Sequence, residues 1–228
     1  MNEPSTQGIL LVDKPSGKTS FDLVRILRRR LGVKKIGHAG TLDPFATGVM
    51  VMLIGREYTR LSNQFLLCDK EYDAQIKLGI STDTYDCEGQ VLSQSELIPD
   101  LSEIEKTIAA FQGEIEQVPP MYSAKKIDGK KLYELARKGI EVERSAVKVT
   151  LHIELTAYAY PYIEIKVACS KGTYIRSLAH DIGLLLGCGA HLSRLIRTRS
   201  GKFLLKDCVD GSQLPEFENL EKHLITMI

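Results

Sequence analysis

The stretch from Gly37 to Gly48 carries a side chain that could do chemistry, the carboxylate of Asp43. Its three glycines allow the backbone to approach a ligand closely. Because Asp43 stands between Leu42 and Pro44, burying its carboxylate would cost several kcal/mol unless a cation paired with it. An aspartate before a proline also commonly serves as a turn or cap residue, and the local sequence leaves both roles open.

A second segment, from Ser170 to Leu178, supplies a cation that could serve such a carboxylate. It lies where an alternating strand is followed by a helix, a common place for functional groups. Arg176 falls on the first turn of that helix, where it could pair with a carboxylate or remain a solvated surface residue. Tyr72 places an aromatic ring at the start of another strand and is, by itself, an ordinary strand residue.

Charge is segregated along the chain, although the formal net charge is only +1. The segment from Lys18 to Gly40 holds seven basic residues and one acidic residue, whereas the segment from Lys202 to the end holds three basic and five acidic residues. Such segregation permits a basic face that binds nucleic acid. A solvated helix face is the alternative that charge alone would favour.

The cysteines indicate neither a metal site nor a disulfide framework. They are odd in number, widely spaced and without a CxxC pair: Cys68, Cys87, Cys169, Cys188 and Cys208. We expect reduced thiols, as in a cytosolic protein. The longest apolar run, Val49 to Ile54, is far shorter than the ~20 residues of a membrane-spanning helix. Residues Met1 to Gln7 lack the features of a secretory signal, so we expect a cytoplasmic protein with no membrane partner.

Short periodic segments must position the candidate residues. Apolar residues at helical spacing predict helices over 20–31, 59–67, 102–112, 130–138 and 174–186. Ser102 and Glu105 form a capping-box pattern at the third of these. Alternating or continuous apolar runs predict strands over 9–12, 48–54, 72–78, 147–155, 163–169 and 191–198. The glycine-rich residues 37–44 are expected to be neither helix nor strand. This order predicts an α+β fold on a largely antiparallel sheet.

Six motifs occur in order along the chain. They are Lys14-Pro15-x-Gly17-x-Thr19-Ser20, Gly37-His38-Ala39-Gly40-Thr41-Leu42-Asp43-Pro44-x-Ala46-Thr47-Gly48, Lys70-x-Tyr72, Ser81-Thr82-Asp83-Thr84-x-Asp86-x-x-Gly89, Pro119-Pro120-x-Tyr122-Ser123-Ala124-x-Lys126 and Gly172-Thr173-Tyr174-Ile175-Arg176-Ser177-Leu178. Together, over residues 9–199, they resemble the TruB family of tRNA pseudouridine synthases, which isomerise uridine 55 in the T arm of tRNA. The eight-residue run from Gly37 to Pro44 is highly specific.

The resemblance implies a catalytic role for three residues. Asp43 matches the catalytic aspartate of the family. Tyr72 matches the tyrosine that stacks on the target base and is the proposed acceptor of its C5 proton. Arg176 matches the arginine that pairs with the catalytic carboxylate, and a neighbouring guanidinium would keep a buried carboxylate ionised. Asp43 could attack C1′, add to C6 of the base, or promote elimination at the ribose.

The resemblance also implies four residues of the substrate-binding region. Tyr174 and Leu195 match positions that line the uracil pocket. His38 matches a histidine that contacts the remodelled T loop. The arginine-rich helix and Lys34-Lys35 would then hold phosphates of the T arm, with Arg194, Arg197 and Arg199 as further candidates. Lys14, with Pro15, matches a structural motif of the same domain. Because substrate and product are isomers, neither a cofactor nor a metal is expected. The reaction requires a base flipped into a closed pocket, where stacking on Tyr72 offsets part of the unstacking cost.

The fold that the resemblance implies is the pseudouridine-synthase fold, a mixed and mainly antiparallel sheet flanked by helices. We expect a catalytic domain over residues 1–200 and a short C-terminal extension over 201–228, without a complete PUA domain. The expected partner is the T-arm stem-loop of tRNA, bound by a monomer with no obligatory protein partner. Two alternatives are a guide-dependent enzyme that works within a ribonucleoprotein and a tRNA-binding folding chaperone in which catalysis is secondary.

Overall fold

The computed structural model describes residues 6–123, 125–127 and 129–226. Ala124 of the fifth motif and the two chain ends lie outside these residues. The chain forms two compact units, one from Met1–Tyr72 with Leu195–Ile228 and the other from Asp73–Arg194. The predicted domain boundary after residue 200 stays a prediction.

Strands and helices alternate irregularly along the chain. The strands are β1 (Gly8–Lys14), β2 (Ile36–Ala39), β3 (Thr47–Ile54), β4 (Lys70–Leu78), β5 (Ile80–Thr82), β6 (Val91–Gln94), β7 (Gly113–Gln117), β8 (Lys126–Ile127), β9 (Lys130–Lys131), β10 (Val147–Ala159), β11 (Tyr162–Cys169), β12 (Ala190–Ser200), β13 (Phe203–Leu204) and β14 (Val209–Asp210). The α-helices are α1 (Ser20–Leu31), α2 (Arg56–Arg60), α3 (Ser62–Leu66), α4 (Leu101–Ala110), α5 (Leu132–Ala136) and α6 (Ile175–Leu185). Two 3₁₀ helices span Leu205–Asp207 and Leu220–His223.

The first unit is built on a mixed sheet around β3. One edge of β3 pairs antiparallel with β1, from Gly8 opposite Ile54 to Lys14 opposite Gly48. Its other edge pairs antiparallel with β2 and parallel with β12. The C-terminal strand β14 pairs parallel with β1. Both faces of β1 and β3 are buried, which explains their continuous apolar sequences.

Two layers cover the sheet of the first unit. A cluster on one face contains Ile9, Leu11, Ala39, Val49, Val51, Leu53, Tyr58 and Phe203. On the other face, the Ser20 hydroxyl of α1 lies 3.8 Å from the Met50 sulfur. Helix α1 begins with a capping box formed by Thr19 and Asp22, and it ends at Gly32, whose φ of 65° is left-handed. The helix predicted over 20–31 is therefore confirmed.

The second unit contains an antiparallel sheet whose strands alternate between buried and exposed residues. Strand β10 pairs with β7 on one side and with β11 on the other, and β11 is followed in the sheet by the part of β4 from Asp73 to Leu78. Helix α4 packs on β10, and α6 contacts α4. The predicted antiparallel pair over 147–155 and 163–169 is confirmed, and so is the α+β class with a mixed sheet.

Four local predictions were wrong. The helix predicted over 130–138 is shorter, because Lys130–Lys131 form strand β9 and only Leu132–Ala136 are helical. Residues Ile36–Ala39 form a strand, because pairing with β3 stabilises a segment whose glycines gave no local signal. The helix predicted over 59–67 is two short helices, α2 and α3, joined at Leu61. The capping box of α4 is formed by Asp100 and Glu103, two residues before the predicted pair, because Asp100 accepts the Glu103 N–H and Glu103 accepts the Asp100 N–H.

Candidate active site

The loop that carries Asp43 connects β2 to β3. Side chains from other elements donate hydrogen bonds to the carbonyl groups of its first residues. The guanidinium of Arg197 donates hydrogen bonds to the carbonyl oxygens of Gly40, over 3.1 Å, and of Thr41, over 3.4 Å. The hydroxyl of Ser20 donates to the Leu42 carbonyl and accepts from the Leu42 N–H. The three residues before Asp43 are thus fixed to two other elements of the first unit.

The residues that follow Asp43 are fixed as well. The Asp43 carbonyl accepts the Ala46 N–H over 3.2 Å, which closes a turn. The Pro44 carbonyl accepts hydrogen bonds from the Gly17 N–H and from the Lys14 ammonium, over 2.8 and 3.0 Å. Asp43 itself is half-buried. The loop therefore presents this side chain from a backbone with little freedom to move, as a catalytic group requires.

Lys14 is a buried cation whose described contacts are structural. Its side chain is fully buried, and its ammonium donates to the carbonyl oxygens of Pro15, Lys18 and Pro44. These bonds join the end of β1 to the turn before α1 and to the loop of Asp43. The predicted place of Lys14 in the substrate-binding region stays a prediction.

His38 lies on β2 opposite Met52 of β3, and it is half-buried. Its Nδ1 atom is buried and has no hydrogen-bond partner in the described part of the chain. Burial, and then the positive charge of Arg197, lower the pKa of His38 below 6.5. The imidazole is therefore neutral at pH 7, when it can offer one donor and one acceptor to a ligand.

Arg197 corrects one expectation drawn from the sequence. It was a candidate for phosphate contacts, but only 1% of the residue is exposed and its guanidinium is buried in the first unit. A phosphate cannot reach it there. The neighbouring Arg199 lies 2.7 Å from Glu71, and Arg194 lies 3.3 Å from Glu164. Arg194 remains half-exposed and free to exchange this weak surface pair for another anion.

Tyr72 and Leu195 are the two apolar candidates in the first unit. Tyr72 lies on β4 and Leu195 on β12, with 8% and 6% of each residue exposed. Side chains buried to this degree can offer a ligand only a small part of their surface. Their roles toward the base stay predictions.

Arg176, in the second unit, is held at its guanidinium by a buried shell of oxygen atoms. It donates to the carbonyl oxygens of Thr84, over 3.1 Å, and Tyr122, over 2.7 Å. The Asp86 carboxylate lies 3.4 Å away, and both side chains of this ion pair are only 6% exposed. The predicted pairing of Arg176 with Asp43 joins residues of different units and stays a prediction.

Asp86 is a residue to which sequence reasoning assigned no role. Its Oδ1 atom accepts hydrogen bonds from the Thr84 hydroxyl, over 2.5 Å, and from the Glu88 N–H, over 3.0 Å, which leaves Oδ2 facing Arg176. The signal was present, because Thr84, Asp86 and Tyr122 all belong to motifs that the sequence displays. Only the fold shows that two of these motifs converge on the arginine of a third.

Tyr174 precedes α6 as its N-cap residue. Its backbone N–H donates to the Gln117 side-chain oxygen over 2.8 Å, and its carbonyl accepts from the Gln117 side-chain nitrogen over 3.1 Å. Gln117, which is 1% exposed, thereby fixes the start of α6 to β7. Tyr174 is half-buried, and its place in the uracil pocket stays a prediction.

An aromatic stack lies next to the Arg176 shell. The Tyr85 and His180 rings have centroids 3.8 Å apart and planes within 10° of each other. Tyr85, which stands between Thr84 and Asp86, adopts a φ of 64° that is costly for a residue other than glycine. Burial lowers the pKa of His180 and raises the pKa of the adjacent Asp181 to about 6.

Other kinds of site are not found in the described residues. Within 6–123, 125–127 and 129–226, no three His, Cys, Asp or Glu side chains are grouped to hold a metal ion. The five cysteines carry free thiols. Over the same part of the chain, every helix is too short or too polar to cross a membrane.

Comparison with known proteins decides the family. Residues 28–175 match the family model described as TruB family pseudouridylate synthase (N terminal domain). The chain belongs to the TruB family of pseudouridylate synthases. Residues 176–227 match the model described as tRNA pseudouridylate synthase B C-terminal domain. The predicted family and the predicted enzyme class, a pseudouridine synthase and hence an isomerase, are confirmed.

Close relatives in the TruB family cover nearly the whole chain. One, named tRNA pseudouridine synthase B, from Protochlamydia amoebophila, is 67% identical over 96% of this chain and 84% of the relative. A protein of the same name from Chlamydia pneumoniae is 59% identical over 93% of this chain and 91% of the relative. The similarity to these two relatives thus extends over more than nine tenths of this chain.

Solved structures confirm the pseudouridine-synthase fold. A chain in the crystal structure of a Cbf5-Nop10-Gar1 complex is similar with a TM-score of 0.73 and 31% identity, covering 96% of this chain and 58% of that one. A chain in the structure of an H/ACA RNP bound to a substrate RNA is similar with a TM-score of 0.69 and 27% identity, covering 97% of this chain and 61% of that one. This TruB-family chain thus spans less than two thirds of those proteins.

Proposed function

We propose that this enzyme isomerises uridine 55 in the T arm of tRNA to pseudouridine. The observation that carries the proposal is 67% identity to a relative named tRNA pseudouridine synthase B, over 96% of the chain. The six ordered motifs, with Asp43 in the most specific of them, support the same site of reaction.

The proposed chemistry centres on Asp43. The N1–C1′ bond of the flipped uridine breaks, the uracil turns, and a C5–C1′ bond forms while the proton of C5 is lost and N1 gains one. Asp43 acts at C1′, at C6 of the base, or by promoting elimination at the ribose. The fixed carbonyl groups on both sides of Asp43 support this role, because a side chain carried by a held backbone loses less freedom on reaching the transition state.

Tyr72 and Arg176 complete the proposed catalytic set. Tyr72 stacks on the base and accepts the C5 proton. Arg176 pairs with the Asp43 carboxylate and keeps it ionised. The buried shell around the guanidinium supports this role, because two carbonyl groups and Asp86 fix its orientation. Tyr174 and Leu195 line the uracil pocket in the same proposal.

The proposed surface for the phosphates of the T arm lies on the first unit. Basic residues are exposed on α1, on α2 and in the turn before β2: Arg28, Arg29, Lys34, Lys35, Arg56 and Arg60. Helices α1 and α2 both contact β2, which carries His38. We propose that these cations hold phosphates while the neutral His38 contacts the T loop.

The proposed enzyme acts as a cytoplasmic monomer on naked tRNA, without a cofactor or an obligatory protein partner. The guide-dependent alternative is kept because the solved neighbours described above come from complexes, one of them an H/ACA RNP with its substrate RNA. Activity of the purified protein alone on tRNA separates the two modes of action.

The test is tritium release from unmodified tRNA labelled at C5 of uridine, with purified protein and no added metal or nucleotide. We expect one label released per tRNA by the wild type and none by Asp43→Asn with tRNA binding intact. A tRNA in which uridine 55 is replaced by cytidine should release no label. No release by a wild-type protein that binds tRNA would contradict stand-alone catalysis. Restoration of a growth phenotype by Asp43→Asn would favour the chaperone alternative.

A further inference from the structure

Arg197 is a buried cation whose hydrogen-bond partners in the described part of the chain are all uncharged. Its Nε atom donates to the Val49 carbonyl over 2.7 Å, and its two terminal nitrogens donate to the carbonyl oxygens of Thr41 and Gly40. One terminal nitrogen also lies 3.1 Å from the Met50 sulfur. Because a buried guanidinium without a carboxylate loses much of its hydration energy, these carbonyl contacts must offset a large cost.

The backbone of Arg197 is fixed independently of its side chain. Strand β12 pairs parallel with β3 at this point, with Arg197 opposite Gly48. Gly48 has a φ of 104°, and a Cβ atom placed on it would collide with the backbone of Arg197. The absence of a side chain at residue 48 therefore allows β12 to approach β3 closely. The backbone that carries the guanidinium is fixed by this strand pairing.

The guanidinium joins strand β3 to the first residues of the Asp43 loop. Gly40, at the start of the loop, has a φ of 93° and turns the chain away from β2. Arg197 binds its carbonyl and that of the next residue, and Leu42 is then held by Ser20. A planar fork of N–H donors can bind carbonyl groups in several directions at once, whereas a lysine ammonium is a single point of contact.

We propose that Arg197 is a positioning residue for pseudouridine formation. It fixes the carbonyl groups of Gly40 and Thr41 and thereby sets the direction in which the Asp43 side chain projects from the loop. The proposal rests on the proposed function of Asp43. Arg197 touches neither the RNA nor the reacting atoms, because its side chain is buried within the first unit. Its loss should change the rate of the chemical step much more than the affinity for RNA.

The experiment compares Arg197→Lys and Arg197→Met with the wild type in single-turnover tritium release and in T-arm RNA binding. We expect a rate about 100-fold lower for both variants, as for a misplacement of about 1 Å, and a Kd within about threefold of the wild type. Hydrogen exchange at the Leu42 N–H gives a second readout that needs no activity. This amide should exchange at least about tenfold faster in both variants, while the amides of α1 are unchanged.

The matched control is Leu214→Ala, which removes apolar volume from a fully buried site of the same unit. It should lower the melting temperature and leave both the rate and the Leu42 exchange unchanged. Wild-type rates for the Arg197 variants would overturn the proposal, and so would an equal loss of rate in Leu214→Ala. Failure of both Arg197 variants to fold would show a structural role instead. If wild-type protein does not act on tRNA, the proposed function fails, while Leu42 exchange still reports whether Arg197 holds the loop.

Discussion

The hydroxyl of Ser20 binds both backbone groups of Leu42, accepting from its N–H over 3.0 Å and donating to its carbonyl over 3.1 Å. Ser20 is the first residue of α1, and Leu42 directly precedes Asp43. Leu42 lies in the loop between β2 and β3, outside both strands. A single buried hydroxyl thus satisfies the two backbone groups that a neighbouring strand would otherwise bind. The candidate catalytic loop is attached to α1 through this pair of hydrogen bonds.

Ser20→Ala should destabilise the protein by about 2–3 kcal/mol, because it leaves two buried backbone groups of Leu42 without a partner. Urea unfolding measures the loss, and single-turnover tritium release should show a lower rate. The matched control is Ser16→Ala, which removes an exposed bond to the Phe45 carbonyl and should cost less than about 0.5 kcal/mol. Equal effects of the two substitutions would contradict the role given to Ser20.

Asp86→Asn should lower the free energy of unfolding by about 3 kcal/mol, because it removes the negative charge from an ion pair with Arg176 in which both side chains are buried. The substitution keeps an oxygen for the Thr84 hydroxyl and the Glu88 N–H. Denaturant unfolding measures the effect. Asp83→Asn in the same segment, whose Oδ1 accepts the exposed Gln90 N–H, is the control and should change stability by less than about 0.5 kcal/mol.

The Tyr85–His180 stack should contribute about 0.5–1.5 kcal/mol of coupling energy, the usual range for stacked aromatic pairs. A double-mutant cycle with Tyr85→Ala and His180→Ala measures it by chemical denaturation. Tyr85→Asn is an informative third variant, because asparagine tolerates the left-handed conformation while losing the stack. A coupling energy near zero would show that the two rings are neighbours without mutual stabilisation.

Asp181→Asn should stabilise the protein above pH 6 and not at pH 4. Burial raises the pKa of Asp181 to about 6 in the folded state, so folding binds a proton between pH 4 and 6 and wild-type stability falls as pH rises through this window. The half-exposed side chain is partly screened by solvent, so the gain at pH 7 should be about 1–2 kcal/mol. Melting temperatures of both proteins from pH 4 to 8 measure it. A difference independent of pH would refute the assigned cause.

Elements with strong periodicity could be predicted from the sequence, and those that depend on distant partners could not. Helix α1 was predicted because its apolar residues recur at helical spacing over more than two turns. Strands β10 and β11 were predicted because their apolar residues alternate with polar ones over most of each strand. Strand β2 was missed because its four residues contain little apolar pattern and gain their hydrogen bonds from β3. The start of α4 was placed two residues late, since Asp100–Glu103 and Ser102–Glu105 have the same spacing and local chemistry does not choose between them.

The candidates for chemistry could be named before the fold was known, because motifs as long as that around Asp43 are specific and Asp43, Tyr72 and Arg176 occur within them in order. The folded chain was needed to show that Arg197 is a buried clamp instead of a phosphate contact, and that Asp86 faces Arg176. Distance along the chain explains the difference. Arg197 and Gly40 are 157 residues apart, and only strand pairing and burial bring them within hydrogen-bonding distance.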